Sequence, residues 1–191
     1  SALTGLLYPL TVTVIAQTLF PGEASGSLIT RDGKAVGSRL IGQSFSEPKY
    51  FWGRLSATAP VPYNAAASAG SNLGPLNHAL REAAVARAEA LRAADPGNRA
   101  LVPVDLVTTS GSGLDPHIGV RNAEIQAKRV ARSRGLEEGE LRELIGQHTE
   151  GTGILGFMGD PGVNVLRLNL ALDARGRRGR SSPTGHEPRG R

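Results

Sequence analysis

The chain has 191 residues, a length that suits one domain, with 39% hydrophobic residues, 4% aromatic residues, 25 Gly and 12 Pro. Its net charge of +5 arises near the end, because six of the 22 basic residues but only one of the 17 acidic residues lie in 174–191. The first 173 residues are left with 16 of each sign. A nucleic-acid partner is therefore not expected, since such domains need a basic face. The absence of cysteine excludes disulfides and thiolate metal sites.

The first 20 residues contain no charged side chain and predict a transmembrane helix over 1–21. A helix of this length spans about 30 Å, the thickness of a bilayer core. Pro9 would kink it, which membranes tolerate, and Pro21 would end it. A secretory signal would begin with basic residues, and this chain has none at its start. A buried helix of a soluble protein is the alternative. We expect the chain to begin part-way into this anchor, with the basic cytoplasmic flank missing.

Strand and turn signals follow from Gly22 to about Tyr63. Short apolar runs at 28–29 and 35–41 flank Asp32-Gly33, and an Asp-Gly pair in this setting predicts a hairpin. Five of the eight aromatic residues then fall within 45–63. Only two cations lie nearby, so these rings suit a core or a partner contact better than a platform for nucleic-acid bases.

Three helices are predicted in the middle of the chain, at 76–94, 122–134 and 137–148, from their apolar periodicity and their Gly or Pro stops. The alternating apolar residues of 163–172 predict a strand. Strand regions at both ends with about three helices between them predict an α+β fold. The tail over 174–191 consists mainly of Arg, Gly, Ser and Pro without periodicity, which predicts disorder.

The segment 110–117 places a hydroxyl, a carboxylate and an imidazole close together in Ser112, Asp115 and His117. An extended loop does not readily form a Ser-His-Asp relay, and Gly-x-Ser-x-Gly is absent, so a catalytic triad is not expected. Its backbone N–H groups could instead face a nucleotide phosphate, although a structured turn is the favoured alternative. The nucleotide-contact candidates are Ser110, Gly111, Ser112 and Gly113. The four histidines lack zinc-site spacing, so no metal is predicted.

Several unusual strings occur in one order along 3–173. They include Thr4-Gly5-Leu6-Leu7-Tyr8-Pro9, Gly26-Ser27-Leu28-Ile29, Leu40-Ile41-Gly42-Gln43, Pro62-Tyr63-Asn64, Gly70-Ser71-Asn72-Leu73-Gly74-Pro75, Ser110-Gly111-Ser112-Gly113-Leu114-Asp115-Pro116-His117-Ile118 and Val163-Asn164-Val165-Leu166. In this combination the chain resembles the C subunit (KdpC) family of the bacterial Kdp potassium-transporting P-type ATPase. It departs from the family at Leu55, where Pro is usual, at Gly119, where Ser or Thr is usual, and at 160–162, where Glu-Pro-Arg is usual.

The resemblance implies a non-catalytic accessory subunit with one N-terminal membrane helix and a single extracytoplasmic domain over 22–173, in the bacterial inner membrane. The implied partners are a potassium-binding channel-like subunit, a P-type ATPase subunit and a small single-helix subunit. The family stabilises this complex and is described as a catalytic chaperone that raises the ATP affinity of the ATPase subunit, so ATP is expected only through that subunit.

The partner-binding candidates are Tyr8, Pro9, Gln17, Tyr50, Phe51, Arg54, Tyr63, Asn64, Asn72, Asp115 and His117. Two alternatives stay open. One is a membrane-anchored hydrolase using Ser112 and His117. The other is a soluble ligand-binding module whose first 20 residues belong to the core.

Overall fold

The computed structural model describes residues 1–151 and 159–180. The chain begins with a π-helical turn, Leu3–Leu7, which continues into helix α1, Tyr8–Leu19, and is followed by the short helix α2, Pro21–Ala24. Three threonine hydroxyls donate to carbonyl oxygens four residues earlier, so the helix itself satisfies these polar groups. Within the described residues, no helix combines the length and the apolar character that a membrane crossing requires. The transmembrane helix is therefore not confirmed and stays a prediction.

A hairpin follows the N-terminal helices, as predicted. Strand β1, Leu28–Arg31, pairs antiparallel with strand β2, Lys34–Ser38. The two turn residues Asp32 and Gly33 both have positive φ, 51° and 74°, the conformation for which Asp-Gly is favoured. A register shift between Ile29 and Thr30 interrupts the ladder. The predicted hairpin is confirmed, although β2 ends three residues before the predicted run does.

Helix α3, His78–Ala94, confirms the helix predicted at 76–94. Asn77 caps it, because the Asn77 side chain accepts a hydrogen bond from the Ala79 N–H at 2.9 Å. None of its side chains is fully buried. Helix α4, Val104–Val107, was not predicted, since four residues are too few for a periodic signal, and it is anchored by the buried Leu106.

The core lies between the remaining helices and a small sheet. Strand β3, His117–Gly119, leads into helix α5, Val120–Arg134; helix α6, Glu138–Gln147, leads into strand β4, Thr149–Glu150; and strand β5, Gly162–Asn164, leads into helix α7, Val165–Arg180. β5 pairs antiparallel with both β3 and β4, so the order is β3-β5-β4. Gly135 ends α5 with φ 64°, a left-handed conformation that favours Gly. Helices α5 and α6 confirm the predictions at 122–134 and 137–148, and with the sheets they confirm an α+β fold.

The strand predicted over 163–172 is wrong beyond its first two residues. Only β5 is extended, and α7 begins at Val165. Asn164 explains the change, because its side-chain oxygen accepts the Arg167 N–H at 3.1 Å and caps the new helix. The buried positions Val165, Leu168 and Leu172 are spaced as on one face of a helix, and this period decides the structure.

Helix α7 also extends into the segment predicted to be a disordered tail. It runs through Ala174 to Arg180, whereas composition predicts disorder from Ala174. The rest of that predicted tail, 181–191, lies outside the described residues. The region predicted as strand and turn between the hairpin and Tyr63 also differs, because the aromatic segment, 45–63, forms only an isolated bridge between Leu55 and Thr109.

Candidate functional site

Three loops meet beside the small sheet and bring four of the partner-binding candidates together. Arg54 donates from Nη1 to Asp115 Oδ2 at 3.4 Å and from Nη2 to the Thr109 carbonyl at 3.0 Å. Tyr63 donates its hydroxyl to the Arg54 carbonyl at 2.6 Å. Asp115 accepts the backbone N–H of His117 at 3.0 Å. Residues 61 positions apart in sequence thus form one continuous site.

The charged side chains of this site alternate in sign. The His117 ring contacts two carboxylates, Asp115 Oδ1 from Nδ1 at 3.3 Å and Glu150 Oε2 from Nε2 at 3.0 Å. Arg54 closes one end of the row at Asp115, and Arg167 closes the other by donating to Glu150 Oε1 at 2.8 Å. We call these five side chains the charge row. It ties the 110–117 loop to β4 and α7, and sequence reasoning did not identify Glu150 or Arg167.

The charge row shifts the ionisation of its members toward the charged forms. The hydrogen bond with Asp115 raises the pKa of His117 above 6.5, outweighing burial, and Glu150 adds to the rise. Burial would raise the pKa of Asp115, but hydrogen bonds from the His117 ring and backbone, with the charges of His117 and Arg54, hold it below 3.8. Burial opposes the shift at Glu150 too, yet hydrogen bonds from His117 and Arg167 lower its pKa below 4.5. Each charged member therefore stabilises its neighbours.

Burial also acts on the hydroxyl beside the row, because it raises the pKa of Tyr63 above 10.0. Tyr63 itself has φ 58°, and Gly42 packs so closely that an added Cβ would lie 2.3 Å from the Tyr63 ring. The close packing against Gly42 fixes the Tyr63 ring in the position from which its hydroxyl donates to the Arg54 carbonyl.

The glycine-rich start of the 110–117 loop is a structured turn packed against other loops. Ser56 Oγ donates to the Gly113 carbonyl at 2.6 Å, and Ser68 Oγ donates to the Ser112 carbonyl at 3.0 Å. Gly113 has φ 68°, and a Cβ there would lie 2.5 Å from the Ala69 carbonyl oxygen, so only glycine fits. Two N–H groups of the turn already donate to protein carbonyls, that of Ser110 to Leu55 and that of Gly113 to Ser110. Such pairing leaves few converging donors for a phosphate, and the nucleotide contact stays a prediction.

The hydrolase alternative finds no support in this geometry. Ser112 Oγ accepts the Leu114 N–H at 3.1 Å, and both ring nitrogens of His117 face carboxylates. Among the described residues no hydrogen bond joins Ser112 to His117, as a nucleophile and its base require. The same part of the chain also holds no group of three His, Asp or Glu placed to bind a metal ion.

The aromatic segment is fastened by two buried amide side chains. Asn169 of α7 accepts the Phe51 N–H and donates to the Phe51 carbonyl, both at 2.9 Å. Gln126 of α5 does the same for Trp52, at 2.8 Å and 3.0 Å. The Phe51 side chain is completely buried in the core, which is one of the two roles predicted for these aromatic residues. Its backbone pairing explains why this segment needs no strand partner.

Arg129 completes this buried layer. Its guanidinium lies 4.8 Å from the Trp52 ring and donates to the carbonyls of Pro48 and Tyr50 and to Gln126 Oε1. Burial lowers the pKa of Arg129 to about 10. Sequence reasoning did not identify the role of Arg129 and Gln126. The available signal is an Arg or Gln in line with the apolar residues of a helix, as in α5.

The remaining candidates lie apart from the charge row. Tyr8, Pro9 and Gln17 are exposed on α1. Asn64 donates from Nδ2 to the Ala59 carbonyl at 2.9 Å and so stabilises its own turn. Asn72 is exposed with φ 52°. The sequence candidates therefore divide between the exposed helix α1, the charge row with its loops, and the aromatic segment.

These features define a small α+β domain in which buried polar side chains hydrogen-bond to the backbone, preceded by a helix whose apolar side chains are exposed. The chain matches the family model of the K+-transporting ATPase, c chain (KdpC), over residues 1–174. The chain belongs to the KdpC family.

The curated relatives are similar over nearly their whole length. The potassium-transporting ATPase KdpC subunit of Sorangium cellulosum (strain So ce56) is 63% identical over 173 residues, which are 91% of this chain and 90% of the relative. The KdpC subunit of Polaromonas naphthalenivorans (strain CJ2) is 64% identical over 172 residues, 90% of this chain and 87% of the relative. That of Herpetosiphon aurantiacus is 61% identical over 173 residues, 91% and 89% of the two chains. The residues matched by the family model, 1–174, span the N-terminal helix, the charge row and most of α7.

Proposed function

We propose that this chain is a non-catalytic accessory subunit of a membrane-bound potassium-transporting ATPase complex, in which it stabilises the assembly. The observation that carries the proposal is the family match over residues 1–174. The proposed partners are a potassium-binding channel-like subunit, a P-type ATPase subunit that hydrolyses ATP, and a small single-helix subunit.

Affinity purification of the tagged full-length protein from gently solubilised membranes of its own host tests this assembly. Recovery of the channel-like and ATPase subunits is the expected result. Recovery of the chain alone, from membranes in which both partners are present, would contradict the proposal and favour the hydrolase and ligand-binding alternatives.

We further propose that α1 lies in the membrane and that residues 22–173 form an extracytoplasmic domain at the potassium-entry side. The apolar side chains of the N-terminal helix support this placement, since Leu6, Leu10 and Ile15 are 63%, 58% and 50% exposed. So many exposed apolar groups on one helix indicate a covered surface in the assembled protein. Protease added outside spheroplasts should digest the domain, and protection of the domain from that protease would contradict this topology.

The family resemblance also suggests a chaperone role, in which the subunit raises the ATP affinity of the ATPase subunit. The domain and ATP would lie on opposite sides of the membrane in the proposed topology, so this role would act through the partner and not by contact. The KM for ATP of the complex with and without this chain tests the role, and an unchanged KM would refute it. Substitution of Ser112 by Ala should leave the KM unchanged, because the 110–117 loop would not touch the nucleotide.

The charge row is the part of the domain best suited to meet a partner subunit. Its side chains are about one-third exposed: 32% of the Asp115 side chain and 35% of the His117 side chain are accessible to solvent. They therefore combine a fixed position with an accessible edge. Fixed charges at an interface set orientation and specificity more than affinity. Replacing Arg54 with Gln should reduce recovery of the ATPase complex more than replacing the exposed Arg81 with Gln.

A further inference from the structure

A pocket rich in cations opens at the tip of the β1–β2 hairpin, away from the charge row. Among the described residues, four basic side chains and one carboxylate, that of Asp173, line it. The basic residues are Arg31, Lys49, Arg134 and Arg177. Three of them lie in the first 173 residues, which carry equal numbers of acidic and basic groups, so the fold brings these three together, and Arg177 is added from the basic C-terminal end of the chain.

Arg134 is held rigidly at the back of this basic pocket. It donates from Nε to the Lys49 carbonyl at 2.7 Å and from Nη2 to Asp173 Oδ1 at 2.8 Å, and only 13% of its side chain is exposed. Its guanidinium carbon lies 4.9 Å from the Tyr50 ring centroid. Tyr50 also donates its hydroxyl to Asp173 Oδ2 at 3.2 Å. In the described part of the chain, Asp173 is thus the one carboxylate of the pocket, and because it pairs with Arg134 and Tyr50 it does little to neutralise the other cations.

Arg31 and Lys49 supply cations without strong internal partners. Arg31 Nη2 is buried and donates to no partner among the residues that the structure describes. A buried donor without a partner is unfavourable, so an anion beside this guanidinium would offset its lost hydration. Lys49 pairs with Glu47 at 2.7 Å, but both side chains are well exposed, and such surface pairs contribute little.

We propose that this basic pocket binds a phosphate group. Guanidinium groups match phosphate oxygens in a planar, bidentate manner, and a fixed Arg134 with Arg31, Arg177 and Lys49 around it offers donors from several directions. The phosphate could belong to an anionic phospholipid headgroup or to a free phosphate ester. The lipid source rests on the proposed membrane placement of α1, because β1 begins only four residues after α2 ends. Phosphate binding itself does not depend on that placement.

Calorimetric titration of the full-length protein in detergent with inorganic phosphate tests the shared chemistry. The pocket variant combines Arg31→Gln with Arg177→Gln and keeps Arg134, whose bonds hold the Lys49 backbone. The matched control combines Arg81→Gln with Arg99→Gln, which removes the same charge from two exposed arginines outside the pocket. We expect the pocket variant to bind phosphate about tenfold more weakly or worse, and the control to bind within about twofold of the parent chain.

Native mass spectrometry of the same proteins with added phosphatidylglycerol or phosphatidylcholine distinguishes the two sources. Selective retention of phosphatidylglycerol by the parent and control chains, lost in the pocket variant, identifies a lipid headgroup. Phosphate binding without such retention identifies a free phosphate ester. The combination Arg31→Lys with Arg177→Lys should restore part of the binding, and unchanged Trp52 fluorescence shows that the variants are folded.

Two results would overturn the proposal. One is equal binding of phosphate and phosphatidylglycerol by the parent, pocket and control chains, and the other is no binding of either by the parent chain. If the parent chain binds neither phosphate nor phosphatidylglycerol but does bind a hexaglutamate peptide, the proposal is also overturned, and the pocket would be assigned to an acidic protein segment. None of these results depends on the other ATPase subunits, so failure here is distinguishable from failure of the proposed assembly.

Discussion

Replacing Asn169 with Ala tests whether buried amide side chains hold the aromatic segment in place. Asn169 is 1% exposed, and its side chain pairs with both the N–H and the carbonyl of Phe51, which is 0% exposed. The substitution leaves two buried backbone groups without partners, at about 1–3 kcal/mol each. The expected loss in the free energy of unfolding is therefore about 2–6 kcal/mol, out of about 5–15 kcal/mol for a typical domain.

Urea unfolding of the full-length protein in detergent, followed by fluorescence, measures this loss. Trp52 is the only tryptophan and lies next to Phe51, so its emission reports on the segment itself. Replacing Gln147 with Ala is the matched control, because among the described residues that amide donates only to the exposed Glu143, at 3.0 Å, and its loss should change stability by less than about 0.5 kcal/mol. A loss below about 1 kcal/mol for Asn169→Ala, with unchanged Trp52 emission, would refute the assigned role of the two hydrogen bonds.

Further predictions concern backbone strain and pH. Replacing Gly113 with Ala should destabilise the chain by about 2–4 kcal/mol, because positive φ and a 2.5 Å approach to the Ala69 carbonyl both oppose a Cβ. Gly135→Ala, with positive φ but open space, should cost only about 1 kcal/mol in urea unfolding, and equal losses would show that the contact at Gly113 is unimportant. The charge row should stabilise the chain most between about pH 4.5 and 6.5. The contribution of His117, whose folded pKa is raised, is complete below 6.5 and is lost as pH rises through the raised value. Those of Asp115 and Glu150, whose pKa values are lowered, are present above 3.8 and 4.5 and are lost as pH falls. Melting temperatures of the parent and His117→Gln chains should therefore differ most inside that window, and a difference independent of pH would contradict the assignment.

The elements predicted well from sequence are those with local signals. The Asp32-Gly33 turn, the helix stop at Gly135 and the apolar stripes of α5 and α6 each depend on neighbouring residues. The start of α7 had a local signal too, since Asn164 is a favoured helix cap, but the alternation of Val163, Val165 and Leu168 obscured it. A strand and a helix compete closely over short apolar runs, and here the cap and the helical spacing of the buried residues decide the outcome.

The candidate site was predicted only in part, because its geometry depends on distant pairings. Arg54, Tyr63, Asp115 and His117 were named from sequence, and the fold brings them together. Glu150 is 33 residues from His117, and no periodicity in either segment indicates that they meet. The pairing of Asn169 with Phe51 spans 118 residues and is equally invisible to local patterns. For the same reason the sequence leaves two roles open for Phe51, because an aromatic residue in an irregular segment can belong to a core or to an interface.

The buried amides support the position of the partly exposed charge row. Gln126 and Asn169 fix Trp52 and Phe51, and Arg54 follows directly after this pair and Gly53. A loop held in this manner presents Arg54 with little freedom left to lose on docking, and such preorganisation reduces the entropic cost of association. It follows that Asn169→Ala, although its side chain is buried, should weaken recovery of the partner subunits at temperatures where the variant is still folded. If the folded variant instead recovers its partners as well as the parent chain does, the charge row does not depend on this support, and partner contact would have to lie elsewhere, with α1 the next candidate.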